Sequence, residues 1–255
     1  MNRAVYTVTA GGIAALDRLE AVAQNLANAS TAGYKAQRLV FRVRPLQVDG
    51  PERLDPVLSR TAAQVVEVAT VRDFSQGPIR QSGNALDVAI EGDGLFQVTL
   101  PDGNTAYTRS GALKLDAAGT VVTSQGDPIS PQITIPQGAE SITIGNDGTV
   151  SVLLPGQTAP SQVGQIQTVR FANPAGLRAE GSNLFRETDT SGTPTLGTPG
   201  QDGLGKLSQG FLESSNVSVV EELVAMITGQ RAYEINSRAI TAADEMLRTA
   251  SSLGR

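Results

Sequence analysis

Apolar and polar residues follow three different rhythms along this chain. Near the start, Thr9, Gly12, Leu16, Leu19, Ala23 and Leu26 keep steps of 3, 4, 3, 4 and 3, and Ile13 and Val22 widen the stripe. Asp17, Arg18, Glu20 and Gln24 fall elsewhere on the wheel. The spacing predicts an amphipathic helix over residues 4–28 with a coiled-coil-like seam. Gly11-Gly12 weakens its first half in isolation. The pattern then stops at Asn28, Ser30, Thr31 and Gly33, residues that favour caps and turns. Gly33 is expected to take the left-handed conformation that closes a helix.

From residue 36 to 210 the rhythm shortens. Turn signals recur as "EGDG", "PDGN", "DAAG", "SQGD", "NDG" and "PGQ". Between them lie runs of strand-like composition: "ALDVAI", "LFQVTL", "TVVT", "SITI", "TVSVLL" and "IQTVRF". Short β-branched segments at a spacing of about ten residues predict an all-β sandwich, barrel or elongated β domain. Residues 188–205, "TDTSGTPTLGTPGQDGLG", read as a turn-rich connector.

The last region, 212–253, is predicted helical. Leu212, Val219, Met226, Tyr233, Ile240 and Leu247 recur every seven residues, the period of a coiled-coil seam. The intervening positions are mixed: Leu223 is apolar, whereas Gln230, Ser237 and Asp244 are polar. Ser215, Asn216 or Ser218 can cap the helix, with Glu221 and Glu222 in its first turn. Periodicity alone fits an amphipathic helix packed on its own domain as well as one that pairs with a partner. An apolar stripe left uncovered calls for a partner, most simply other copies of the chain.

Composition narrows the chemistry. The 255-residue chain has neither cysteine nor histidine. Disulfides, thiolate nucleophiles, the usual structural zinc sites and Ser-His-Asp or Cys-His catalysis are therefore excluded. Net charge is −5, and "KAQRLVFRVR" at 35–44 is the one basic cluster. It reads as a solvated face, and no nucleic-acid partner is expected. The N-terminus does not read as a cleaved secretory signal, and no run is long and apolar enough for membrane insertion. Asp87, Glu91 and Asp93 in "LDVAIEGDG" are candidate catalytic acids for a polymer such as peptidoglycan. In a strand Asp87 and Glu91 stand about 13 Å apart, and Asp93 is expected in its turn for backbone reasons. No catalytic, cofactor-binding or metal residue is assigned, and no cofactor is expected.

Four segments carry a resemblance. "NLANASTAGYK" at 25–35 is similar to the N-L-A-N-x-x-T-x-G-[FY]-K motif of bacterial flagellar rod and hook proteins, with Asn25, Leu26, Ala27, Asn28, Thr31, Gly33, Tyr34 and Lys35 matching. "GNALDVAIEGDGLFQV" (83–98) and "YTRSGALKLDAAGTVVTSQGDPI" (107–129) resemble segments of the β domain of that family. "GFLESSNVSVVEELVAMITGQRAYEINSRAITAADEML" (210–247) resembles its C-terminal helix. The segments follow one another in the family's order. "QRAYEINSRAI" and "NPAGL…GSNLF" (173–185) look most like distal-rod members, and "NLANASTAGYKAQR" looks more like proximal-rod members. A hook-type protein or a secreted β-rich surface filament is the weaker alternative.

The resemblance implies a mixed α and β fold: a mainly-β central domain bracketed by amphipathic terminal helices that pair as a coiled coil. It divides the chain into a rod helix and turn (1–35), an extended linker (36–82), a β body (83–209) and a second rod helix (210–255). It implies a structural subunit, not an enzyme, that polymerises helically into a drive shaft carrying motor torque to the hook. The expected partners are further copies, other rod and hook proteins, the surrounding P- and L-rings and the flagellar type III export apparatus. The expected place is the periplasm-spanning rod of the basal body, reached without a cleaved signal peptide. The expected assembly residues are Leu16, Leu19, Ala23, Asn25, Leu26, Asn28, Thr31, Gly33 and Tyr34. On the second helix they are Val219, Leu223, Met226, Tyr233, Ile240 and Leu247. Lys35, Arg38, Arg42 and Arg44 would meet neighbouring subunits.

Overall fold

Two helices and seventeen strands are described in a computed structural model that covers residues 2–45 and 64–253, with side chains over 11–40 and 69–242 and at 245. The chain divides into two units. One contains Met1–Leu26, Gln37–Arg72 and Val219–Arg255; the other contains Ala27–Ala36 and Asp73–Ser218.

In the first unit, α1 spans Asn2–Ala27 and α2 spans Val219–Leu253. Glu221 and Glu222 lie in the first turn of α2, where carboxylates meet the exposed N–H groups of the helix end. The helices run antiparallel, with contacts among the described residues at Asn25, Leu19 and Gly11 of α1. Asn25 Nδ2 donates to Glu222 Oε1 at 2.9 Å. A Cβ placed on Gly229 would stand 3.0 Å from Leu19 Cδ2. A Cβ on Gly11 would stand 3.6 Å from the Asn236 side chain. The partners on α2 lie seven residues apart at Glu222, Gly229 and Asn236, not along the expected series. The apolar series faces elsewhere: Val219, Tyr233 and Ile240 are exposed, and Met226 is half-buried. Among the described side chains of α1 the buried positions are Gly12, Ala15, Ala21, Val22 and Asn25, so Gly12 of the expected stripe is covered whereas Leu16 and Ala23 are not. At two of these contacts a glycine on one helix faces a side chain of the other, so the covered face is not the richest apolar stripe.

The same unit contains β1 (Gln37–Pro45) and β2 (Gln64–Arg72), paired antiparallel from Gln37 opposite Arg72 to Pro45 opposite Gln64. These strands lie in the segment read as an extended linker. Val recurs along both strands, with Phe41 in β1 and Thr70 in β2, and the paired backbone satisfies their N–H and C=O groups.

The second unit is built from short strands. Its largest sheet has six, in the order β13 (Arg178–Gly181), β14 (Leu184–Arg186), β6 (Thr105–Thr108), β5 (Leu95–Thr99), β12 (Thr168–Arg170) and β15 (Thr195–Gly197). A second sheet orders β11 (Ser161–Gln165), β10 (Thr149–Leu153) and β9 (Ser141–Ile144). β7 (Leu113–Leu115) pairs with β8 (Val121–Thr123). The first strands of the body pair with its last: β3 (Ile79–Gln81) with β17 (Phe211–Glu213), and β4 (Val88–Glu91) with β16 (Lys206–Gln209). Leu212 therefore lies in a strand, and the second helix begins only at Val219. The reason is tertiary, because the backbone of 211–213 completes its hydrogen bonds against β3.

β5 faces two cores. Phe96 and Val98 point into a cluster with Val88, Ile90, Val150, Ile166 and Leu207, whereas Leu95 packs in a second cluster with Tyr107, Val169, Phe171 and Phe185. Successive side chains alternate across a strand, so a central strand between two cores reads as a nearly continuous apolar run, here "LFQVTL". Gly111 shows how closely the body is packed: a Cβ there would lie 1.6 Å from Val88 O.

Candidate assembly elements and a buried charge cluster

Beyond α1 the chain turns. Thr31 N donates to Asn28 O at 3.0 Å, and Tyr34 N to Thr31 O at 3.3 Å. Gly33 has φ +68°, the left-handed geometry expected of it, but it does not close the helix, which ended at Ala27. It is needed where it stands because a Cβ would lie 2.5 Å from Ser110 N. Its own N–H donates to Glu213 O at 2.7 Å.

Glu213, the last residue of β17, organises a buried charge cluster. Its Oε1 accepts from Lys35 Nζ at 2.6 Å and from Gly77 N at 2.9 Å. Its Oε2 accepts from Arg109 Nε at 2.6 Å. Lys35 also donates to Ser75 O at 2.8 Å. The Arg109 guanidinium continues to Ile90 O at 2.8 Å, Gly92 O at 2.7 Å and Gly94 O. The Lys35 and Glu213 side chains are each 1 % exposed. Burial pushes the Glu213 carboxyl up, but Arg109, Lys35 and the Gly77 amide outweigh it and hold it below the ordinary carboxylate value. Burial lowers the Lys35 ammonium, against the attraction of Glu213.

Asn216 extends the cluster. Its Oδ1 accepts from Ala36 N at 2.7 Å, and its Nδ2 donates to Asp73 O at 2.9 Å and to Ser75 O at 3.2 Å. A cavity of about 690 Å3 opens beside the cluster, lined in part by Lys35, Phe74, Leu95, Arg109 and Phe171.

The expected assembly residues fall into three groups. Leu16, at 48 % exposure, and Ala23 on α1, with Val219, Leu223, Tyr233 and Ile240 on α2, are exposed. Leu19, Leu26 and Met226 are half-buried, and Leu247 lies outside the described side chains, as do Thr9, Arg42 and Arg44. Asn25, Gly33 and Tyr34 are buried, whereas Asn28 is half-buried and Thr31 exposed. Asn25 holds the start of β1: its Oδ1 accepts from Gln37 N at 2.7 Å and its Nδ2 donates to Gln37 O at 2.9 Å. Lys35 corrects the reading of the basic cluster, since its ammonium is buried against Glu213 and meets no solvent. Glu213 and Arg109 were not anticipated. They lie 104 residues apart in sequence, and no periodicity joins them.

The three acids weighed for catalysis do not converge. Asp87 accepts from Asn84 Nδ2 at 3.1 Å, Glu91 accepts from Ser208 Oγ at 2.7 Å, and Asp93 is exposed in its turn. Among the described residues, no group of three or more acidic side chains is placed to hold a metal ion, and no helix is long and apolar enough to cross a membrane.

Terminal helices with exposed apolar stripes, a β body between them and charges spent on internal cross-ties define a structural protein built to be part of something larger. The chain belongs to the flagellar basal-body rod protein family. Three stretches match family models: "Flagella basal body rod protein" at 6–35, "Flagellar hook protein FlgE/F/G D1 domain" at 89–152 and "Flagellar basal body rod FlgEFG protein C-terminal" at 208–253. Relatives named flagellar basal-body rod protein FlgG occur in Borreliella burgdorferi, 44 % identical over all of both chains, and in Caulobacter vibrioides, 42 % identical over 98 % of this chain and 99 % of the relative. The flagellar basal-body rod protein FlgF of Salmonella typhimurium is 34 % identical over 96 % of this chain and 95 % of its own.

Proposed function

We propose that this chain is a subunit of the distal rod of the bacterial flagellum, polymerising helically into the shaft that carries motor torque to the hook. Higher identity to the FlgG relatives than to the FlgF relative favours distal over proximal rod. The observation that carries the assembly reading is the outward face of α2. Val220 is 71 % exposed, and Val224, Ile227 and Ile235 are exposed with it. On α1, Ile13 and Leu16 are exposed. The in-chain helix contact uses Glu222, Gly229 and Asn236 and leaves these apolar side chains free for neighbouring copies, against which the helices would pair as coiled coils. Other rod and hook proteins at the shaft ends, the P- and L-rings around it and the type III export apparatus complete the partner set. In this reading the subunit reaches the periplasm-spanning rod without a cleaved signal peptide.

Ile240→Asp tests it. Ile240 is 39 % exposed on the single chain, so a carboxylate there stays solvated and the β body keeps its cooperative unfolding. In an assembled seam the same charge is desolvated without a partner, and the cells should be non-motile with no completed rod. Glu222→Gln swims, because its amide oxygen still accepts from Asn25. Normal swimming and intact basal bodies in Ile240→Asp cells would sink the proposal.

A further inference from the structure

We infer that the Glu213–Lys35–Arg109 cluster, together with Asn216, is a mechanical clamp: it ties together the roots of every chain segment through which load enters or leaves the β body. The inference rests on the rod reading for its purpose, but its geometry stands without it. The chain crosses the boundary of the body unit four times, at 26/27, 36/37, 72/73 and 218/219. Force carried along the backbone between the two units passes through those four crossings.

Each root is cross-tied to another inside the body. The first, at residues 32–33, is tied by Asn183 Nδ2 donating to Ala32 O at 3.0 Å and by Gly33 N donating to Glu213 O at 2.7 Å. The second, at 35–36, is tied by Lys35 to Glu213 and by Ala36 N to Asn216 Oδ1. The third, at 73–78, receives Asp73 N to Ala36 O at 2.9 Å, Asn216 Nδ2 to Asp73 O, and Ser214 N to Pro78 O at 2.9 Å. The fourth, at 213–216, supplies Glu213 and Asn216 themselves. Arg109 then anchors Glu213 to the carbonyls of Ile90, Gly92 and Gly94 in the body.

Stability alone does not account for this chemistry. A buried ion pair is often no better than well-packed apolar residues of the same volume. Charge-assisted hydrogen bonds are short and directional, so sideways displacement of one root breaks several of them together. The cluster therefore resists relative sliding of the four roots, which is the motion that torsion imposes.

Force spectroscopy on the full chain decides the matter. The chain has no native cysteine, so handles attach only where cysteine is introduced. Ser30→Cys with Ser218→Cys loads the roots, and Gln125→Cys with Gln157→Cys loads two exposed turns of the body. Glu213→Gln should open at least tenfold faster than wild type at fixed force in the first geometry and change less than about twofold in the second. Asn216→Ala, which buries no orphaned charge, serves where Glu213→Gln folds poorly and should show the same asymmetry. Equal weakening in both geometries would mean the cluster serves general stability, and no weakening in the first would mean it carries no load; either overturns the inference. Motility of a strain lacking the chain tests the rod reading separately.

Discussion

Glu213→Gln also makes an equilibrium prediction. The substitution keeps shape but removes the charge that compensates Lys35 and Arg109. Both carboxylate oxygens accept from donors, Lys35 and Gly77 on one and Arg109 on the other, so the amide NH2 must face a donor on one side. Removing one partner from a buried ion pair costs about 3–5 kcal/mol, a large part of a typical domain's total stability. With a urea dependence of about 2 kcal/mol per molar, the midpoint for the strand signal in far-UV circular dichroism should fall by about 1.5–2.5 M at pH 7. The pH dependence identifies the charge as the cause. The folded carboxyl titrates below its ordinary 4.5, so its contribution is fully present above that pH and is lost as pH falls through the folded value. The gap between wild type and variant should therefore narrow on acidification below about pH 4.5. A midpoint change under about 0.5 M at pH 7, equivalent to about 1 kcal/mol, would refute the reasoning, as would a gap that stays constant into acid.

Two further outcomes are expected. Gly111→Ala places a Cβ 1.6 Å from Val88 O and should leave no cooperatively folded body, checked by a thermal melt of whatever soluble protein is recovered. Burial, helped by the neighbouring Glu187 carboxylate, pushes the Tyr107 hydroxyl up to about 12; an ultraviolet titration should lose its late-ionising component in Tyr107→Phe, and stability should fall as pH rises from about 10 towards 12.

Helix positions were legible because a helix repeats its environment every three or four residues. The turns of the body were legible because Gly, Asn and Asp mark backbone reversals directly. Leu212 was misread because a period of seven extends by arithmetic, whereas the chain at 211–213 answers to β3. The outward rotation of the helix seam was also hidden. Hydrophobicity ranks Leu16 above Gly11, but it is Gly11 that faces the Asn236 side chain while Leu16 is exposed. The charge cluster was the least legible part. Lys35 stands in a run of basic residues that looks solvated, and its partner Glu213 lies 178 residues later. Both belong to recognisable segments, "GYK" and "GFLESSN", but one sequence alone has no signal that couples two segments through a buried charge.

The pairing of the body's first strands with its last also fixes when folding can finish. The Glu91–Ser208 hydrogen bond spans 117 residues, and closing a loop of that length must precede any reward from the contacts it makes. A chain delivered N-terminus first therefore holds β3 and β4 open until residues 206–213 arrive. Over that interval the carboxylate that pairs with Lys35 and Arg109 in the folded body has not arrived. The end pairings of the body therefore close only when its final strands are present.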